Sequence, residues 1–292
     1  MKYEFICERQ DYSVSKWAAF LKVSQSGYYE WRKLKKKREE EHMRLRRLVR
    51  KIFFDHHGTY GPDRLCGALR RMGEKASYRK IQKIMQEEGL VSIHCRRRNR
   101  SLTDSRKSRG EGYDNLTKET VITRPFQVLS SDISYIRTLM GFLYLCIVRD
   151  VVSGVILAIA LSDRMKAELV ETAVKRALQR WEIPKGCIFH SDRGSQYTSR
   201  RVRELLLRHG IRQSFSRVGM PGDNAWSESF FANLKKEAVH WRIFRTREEA
   251  GKKIFGYVEA FYNTKRIQKR LGYLSPLQWL ERWYMEEQQR AA

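Results

Sequence analysis

Phe126-Gln-Val-Leu-Ser-Ser-Asp132-Ile-Ser-Tyr-Ile136 is the stretch on which the fold turns. It is rich in β-branched and aromatic residues and no glycine or proline interrupts it, so it reads as a strand carrying an aspartate. Two more apolar, β-rich runs follow after short connections, Phe142 to Arg149 and Gly154 to Leu161. The pattern then alternates: a helix from Ala167 to Trp181, a strand from Cys187 to His190, a helix from Ser199 to His209 and a strand from Ile211 to Phe215. Three consecutive strands followed by alternating helix and strand predict a mixed α/β core. Arg217-Val-Gly-Met-Pro-Gly-Asp-Asn reads as a loop, and a helix begins after it. Helical segments at about Arg247 to Tyr262 and Pro276 to Gln288 close the chain.

Working upstream, a helix from Val14 to Leu21, a turn and a Ser-capped second helix form a helix-turn-helix pattern. Residues 39 to 54 form an amphipathic helix with Met43, Leu45, Leu48, Val49, Ile52 and Phe53 on one side. Gly58-Thr-Tyr-Gly-Pro62 breaks it, and Pro62 suits the first turn of the next helix. Ser77 caps a third, Tyr78 to Glu88, with Ile81, Ile84 and Met85 on one face and Arg79, Lys80 and Lys83 on the other. Three short helices with a basic last one predict a bundle that places this helix in the DNA major groove. The polar stretch 94 to 118 reads as a tethered linker whose Arg96, Arg97, Arg98 and Arg100 touch phosphates.

The composition supports that partner. Lys and Arg number 59 against 33 Asp and Glu, a formal net charge of +26 over 292 residues. Residues 31 to 109 hold 25 of the basic and 9 of the acidic residues, or +16. Such charge calls for a polyanion, and nucleic acid is the usual one. A hydrophobic fraction of 41% supports a packed core and argues against wholesale disorder. Five scattered cysteines with no Cys-x-x-Cys pair argue against a disulfide framework or a zinc finger. The charged start Met1-Lys-Tyr-Glu-Phe carries no signal-type apolar region, and the run Val151 to Leu161 is too short to cross a bilayer.

Three carboxylates stand in contexts suited to chemistry. Asp132 lies in the strand above, Asp192 ends the apolar run Cys187-Ile-Phe-His-Ser-Asp192, and Glu228 lies in the helix start Gly222-Asp-Asn-Ala-Trp-Ser-Glu228-Ser-Phe-Phe231. Adjacent strand ends would bring Asp132 and Asp192 within several ångströms, with Glu228 on a helix laid over the sheet. Converging carboxylates repel by roughly 3–4 kcal/mol per pair at 4 to 5 Å and an effective dielectric near 20. A divalent cation removes that cost, and Mg²⁺ needs only a few carboxylates plus substrate phosphates. In a basic chain this points to metal-dependent phosphoryl transfer on nucleic acid. Lys235, seven residues after Glu228 on the same helix face, is placed to hold a phosphate. Asp150, Asp163 and Asp223 read as turn or cap residues, and His190 as a hydrogen-bonding core residue.

These motifs resemble the DDE transposases of bacterial insertion sequences, in particular the second reading-frame product of the insertion-sequence-three family, with a retroviral-integrase-like core. The carriers are Asp132-Ile-Ser-Tyr-Ile136, His190-Ser-Asp-Arg-Gly-Ser-Gln-Tyr197, Asp223-Asn-Ala-Trp-Ser-Glu-Ser-Phe-Phe231 and the 35 residues between Asp192 and Glu228. Phe261-Tyr-Asn-Thr-Lys-Arg266, Leu271-Gly-Tyr-Leu-Ser-Pro276, Ser24-Gln-Ser-Gly-Tyr-Tyr-Glu-Trp31 and Tyr60-Gly-Pro-Asp-Arg-Leu65 extend the resemblance over nearly the whole chain. It implies an α/β RNase H-like catalytic domain, a mixed sheet flanked by helices, preceded by a small all-α helix-turn-helix-type DNA-binding region. The expected divisions are 1–36 (helix-turn-helix-like), 37–98 (three-helix DNA-binding), 99–122 (basic linker), 123–283 (catalytic, with C-terminal helices) and 284–292 (tail). Asp132, Asp192 and Glu228 are implied as the catalytic, metal-binding triad, with two Mg²⁺ ions for which Mn²⁺ substitutes. The implied chemistry is cleavage at the element's ends and attack of the freed 3′-hydroxyl on another phosphodiester. The implied partners are double-stranded DNA (terminal inverted repeats and target), further copies of the chain, and an upstream helix-turn-helix and leucine-zipper protein joined by frameshift fusion. The setting is the bacterial cytoplasm. A non-catalytic DNA-binding regulator and an RNase H-like endonuclease are the competing readings.

Overall fold

The structure, a computed structural model, describes residues 2–9, 11–95, 114–118, 120–217 and 221–291. Two short helices open the chain, α1 (Lys2–Glu8) and α2 (Val14–Phe20), the latter capped by the Ser13 hydroxyl, which accepts from the Lys16 amide. Ser24 caps α3 in the same way through the Gly27 amide, but α3 runs unbroken from Gln25 to Asp55. The second helix of the expected helix-turn-helix and the amphipathic helix over 39–54 are therefore one 31-residue rod. From Trp31 to Arg50 the sequence holds no Gly or Pro and is rich in Arg, Lys, Glu and Leu, so nothing stops the helix at the expected division between 36 and 37. Helices α4 (Pro62–Arg71) and α5 (Tyr78–Glu87) pack on its C-terminal half around Val49, Phe53, Leu65, Leu69, Ile81 and Ile84. The bundle thus holds one long and two short helices instead of three short ones.

The second unit is built on a five-stranded sheet. Strands β1 (Val128–Thr138), β2 (Gly141–Asp150) and β3 (Ile156–Ser162) form an antiparallel meander. Helix α6 (Ala167–Arg180) then crosses over to β4 (Ile188–Ser191), and α7 (Ser195–Thr198) with α8 (Arg200–Arg208) leads to β5 (Arg212–Phe215). β4 lies parallel to β1 and β5 parallel to β4, in the order β3-β2-β1-β4-β5. Parallel neighbours need such helical crossovers, which is why the chain changes from meander to alternation here. Helix α9 (Ala225–Leu234) continues into a π-helical segment, Lys235–Val239. Helix α10 (Arg247–Gly256) likewise runs into a second π-helical segment, Tyr257–Tyr262, and α11 (Pro276–Ala291) ends the fold.

Strand alternation sorts the core into two layers. Leu145 and Ile147 face Phe230, Phe231 and Leu234 of α9 and Ile254 of α10, whereas Cys146 and Val148 face Leu169, Val170 and Ala173 of α6 and Val202 of α8. With helices on both faces, the central strands are apolar on both sides and read as continuous hydrophobic runs. Asp150 caps the turn after β2 as expected, accepting the amides of Phe126 at 2.8 Å and Ser153 at 2.7 Å. Among the described residues no helix is long and apolar enough to cross a membrane.

The helical bundle is docked on the C-terminal part of the sheet domain. Tyr60, fully buried, donates to the Lys265 carbonyl at 3.1 Å and accepts the Ile267 amide at 3.0 Å, while Ile267 itself enters the bundle core. The Tyr273 ring lies flat on Gly67 of α4, where an added Cβ would meet three ring atoms at 2.2–2.7 Å. In an isolated helix Gly→Ala stabilises by about 0.8–1 kcal/mol. Here Gly67→Ala is expected to lower the denaturation midpoint instead, because the Tyr273 ring must be displaced. A raised midpoint in urea melts would contradict the docking.

Candidate active site

Asp132 and Asp192 lie close to the end of β4, and the charges of Asp192 and Glu228 both act on Asp132. β4 pairs with β1 through Val128, Leu129 and Ser130, opposite Ile188, Phe189 and His190, and stops at Ser191. Asp192 follows directly after β4, and Asp132 lies two residues beyond the last paired residue of β1, near enough for the Asp192 charge to act on it. The expectation of two meeting strand ends needs correction: Asp192 does follow a strand end, but Asp132 is the fifth residue of the eleven in β1. Neighbouring aspartates arise because a four-residue strand covers only the first part of a long one and leaves its second part open.

The electrostatics follow from this placement. Burial first, and then the charges of Asp192 and Glu228, push the Asp132 carboxyl up to about 7 from its ordinary value of 3.8, despite the Ile133 amide donating to it at 2.8 Å. Asp192 lies open at the rim, where surrounding protein raises its carboxyl and the Gly194 amide donates to it at 3.1 Å. A side chain at Gly194 would come within 3.1 Å of that same carboxylate oxygen, so the glycine leaves room for it. Glu228 is exposed on the first turn of α9. Its charge is felt at Asp132, yet among the described residues no three His, Cys, Asp or Glu side chains are gathered into a metal-sized cluster. The site thus holds two carboxylates side by side and a third on an adjacent helix.

Residues not singled out in the sequence fasten that helix to the sheet. Asn224, just before α9, donates to the Ser131 carbonyl at 3.2 Å, Ser227 donates to the Ser130 hydroxyl at 3.2 Å, and Arg149 donates to the Trp226 carbonyl. All four of Ser130, Ser131, Asn224 and Ser227 are buried, so these bonds act in a low-dielectric setting where leaving one unmade costs about 1–3 kcal/mol. The polar run Ser130-Ser131 inside an apolar strand was the one visible signal. Lys235 is half-buried, with Nζ 5.6 Å from the Tyr135 ring centre. Burial lowers its ammonium pKa while the nearby Asp132 charge opposes that, which places Lys235 beside the site.

Asp223, like Asp150, is held in structural hydrogen bonds. Burial alone would raise Asp223, but bonds from Arg217 and Asn115 hold it down at about 2. His190 is buried with one ring nitrogen 2.9 Å from the Ser214 hydroxyl and the other 3.1 Å from that of Ser216, as a core hydrogen-bonding histidine should be. Arg79, Lys80 and Lys83 are exposed on α5, opposite Ile81, Ile84 and Met85, with Lys83 3.8 Å from Glu87. Arg96, Arg97, Arg98 and Arg100 lie outside the described residues.

The chain is similar to known proteins along most of its length. Family models described as Integrase core domain match residues 122–221 and 228–282, and one described as HTH-like domain matches residues 39–99. The chain is 36% identical over 241 residues to the transposase for insertion sequence element IS904 of Lactococcus lactis, covering 82% of this chain and 94% of that protein. Its identity to the transposase InsF for insertion sequence IS3A of Escherichia coli is 33% over 283 residues, covering 95% and 98%. The first integrase-core match contains Asp132 and Asp192 and the second opens at Glu228. With an HTH-like domain ahead of an integrase core, and with relatives matched along most of their length, the chain belongs to the IS3-family transposases, which are polynucleotidyl transferases.

Proposed function

We propose that this transposase cleaves DNA at the ends of its insertion sequence and joins the freed 3′-hydroxyl to another phosphodiester, using Asp132, Asp192 and Glu228 as a metal-binding catalytic triad. The observation that carries the reading is the placement of Asp132 in β1 just beyond its pairing with β4, where the charges of Asp192 and Glu228 act on it and burial helps to hold its carboxyl near 7. Such a pair is poorly stable as two anions, and its all-oxygen donor set suits a hard divalent cation, which needs only one or two carboxylates plus substrate phosphates. Asp132 and Asp192 would hold Mg²⁺, or Mn²⁺ in its place, and Glu228 would complete the set when the DNA end is seated. Two such ions supply activation of the attacking oxygen and stabilisation of the leaving one. The chain's own residues do the positioning. Lys235 offers its ammonium to a phosphate beside the pair, and Asn224, Ser227 and Arg149 keep α9 over β1.

DNA is held by charge spread over the bundle and the linker. Arg79, Lys80 and Lys83 of α5 are the proposed groove-facing residues, and Arg96, Arg97, Arg98 and Arg100 the proposed phosphate contacts. On this reading the transposase works in the cytoplasm as a homo-oligomer on paired terminal inverted repeats and target DNA. An upstream helix-turn-helix and leucine-zipper chain, joined by frameshift fusion, contributes to finding the ends.

Asp192→Asn is expected to lower strand transfer of labelled element ends by more than about a thousandfold, equal to roughly 4 kcal/mol of barrier, while duplex binding is retained. Joined products at wild-type rate would overturn the assignment. Replacing Arg96, Arg97, Arg98 and Arg100 together should reduce the slope of log K against log salt by up to about 3.6 for duplex DNA, and an unchanged slope would remove them from the interface.

The raised Asp132 carboxyl sets a pH dependence. The folded chain keeps a proton that the unfolded chain gives up between about pH 4 and pH 7, so this group's contribution to metal-free stability falls as pH rises across that window. A cation that replaces the proton should raise the melting temperature more at about pH 8 than at about pH 5, and Asp132→Asn should remove the difference. Equal Mn²⁺ shifts at both pH values in differential scanning calorimetry would contradict the site.

A further inference from the structure

The rod that carries Glu228 does not end at α9. It passes through Lys235 into the π-helical segment and there presents Glu237, nine residues beyond Glu228 and roughly 13 Å along the axis. The Glu237 side chain is wholly enclosed (0% exposed), and the residue's remaining exposure lies in its backbone. Three partners from three parts of the chain converge on it. Arg266 donates from Nη2 at 2.7 Å to Oε1 and from Nε at 2.9 Å to Oε2, the Tyr257 hydroxyl donates at 2.9 Å, and His94 Nε2 lies 2.6 Å from Oε1.

The origins of these partners matter. Tyr257 opens the second π-helical segment and Arg266 belongs to the Phe261-to-Arg266 motif of the sheet domain. His94 belongs to the helical bundle: its neighbour Ile93 donates to the Gly58 carbonyl at 3.0 Å, and Ser92 to the Thr59 carbonyl at 3.3 Å. Two residues after His94 the arginine run begins. A buried ion pair adds little net stability over apolar packing, so the use best attested for one is to fix register. Both Glu237 and Tyr257 sit in π-helical turns, where an extra residue per turn re-aims the side chain, a feature frequent at functional sites.

We propose that Glu237 is a positioning residue that, through His94, ties the placement of Glu228 and Lys235 to the N-terminal DNA-binding bundle. The inference rests on the catalytic reading of Glu228 given above. Clamped by Arg266 and Tyr257 from one side and His94 from the other, Glu237 fixes the rotation and height of the rod over β1. Glu228 stands exposed on α9 while the aspartates belong to β1 and the end of β4, so its seating is the step that this rod controls. A duplex drawn against the bundle pulls on the short turn Ile93–Cys95 that carries His94, and the Glu237 contact carries that displacement to α9.

The test uses the full chain with His94→Ala, His94→Gln and Glu237→Gln, and a duplex oligonucleotide bearing an end of the element that encodes it. His94 is partly exposed (26%), so its truncation leaves the core intact. In His94→Ala, amide hydrogen exchange across α9 should accelerate without metal or DNA. Single-turnover nicking with Mn²⁺ at saturating duplex should slow by about tenfold while duplex affinity stays near wild type. His94→Gln, whose amide can still donate to the carboxylate, should recover both readouts, and Glu237→Gln should show the same split with a larger loss. Wild-type α9 exchange and nicking in His94→Ala would overturn the proposal, as would a rate loss that merely follows lost affinity. If the wild-type chain fails to nick while α9 exchange still responds to His94, the catalytic reading fails and the mechanical coupling stands.

Discussion

The parallel pairing of β4 with β1 is the constraint on which the rest of the molecule depends. It lasts three residue pairs and then stops, because the chain after Ser191 turns away into Asp192-Arg-Gly-Ser. A longer β4 would pair the second part of β1 and bury Asp132 beneath a continuous sheet. A shorter one would leave nothing to hold Asp192 beside it. The early stop makes an open strand edge with one aspartate in it and another at its side, and α9 covers one face of that edge without sealing it.

The charge distribution turns this geometry into chemistry. Of the +26, +16 falls between residues 31 and 109, outside the stretches of sequence that carry the three carboxylates. Close to the aspartates, Lys235 is a cation coupled to Asp132, and burial lowers its own pKa. The pair is thus left with a deficit of positive charge that protons, cations or both can fill. Meanwhile Ser130, Ser131, Ser227 and Asn224 supply neutral hydrogen bonds that fix α9 without supplying that charge.

Much of this was legible in the sequence. Strand alternation at Leu145-Cys146-Ile147-Val148, Ser caps at Ser13, Ser24 and Ser77, and Pro62 at a helix start each act within a few residues, so the elements fall close to where periodicity puts them. The carboxylates of the site were visible as charges in apolar or Gly-rich settings. What was hidden is set by distant partners. The continuity of α3 depends on the lack of a stop signal in a polar stretch, where amphipathic patterning is weak. The mid-strand position of Asp132 depends on how far β4 extends, which is a property of the pair and not of either strand. Glu237, in Lys235-Lys-Glu-Ala-Val, looks like any solvated helix residue, and only a fold that brings Arg266, Tyr257 and His94 around it reveals a buried charge.

The central claim is that the aspartate pair and Glu228 form one metal site when DNA is bound. Anomalous diffraction from crystals of the full chain with Mn²⁺ and a duplex bearing the element's end tests it most directly. The account expects anomalous density between Asp132 and Asp192, with the Glu228 carboxylate drawn to it and a DNA phosphate completing the coordination. Density bound elsewhere, or at Asp192 with Asp132 still protonated and Glu228 pointing to solvent, would contradict it.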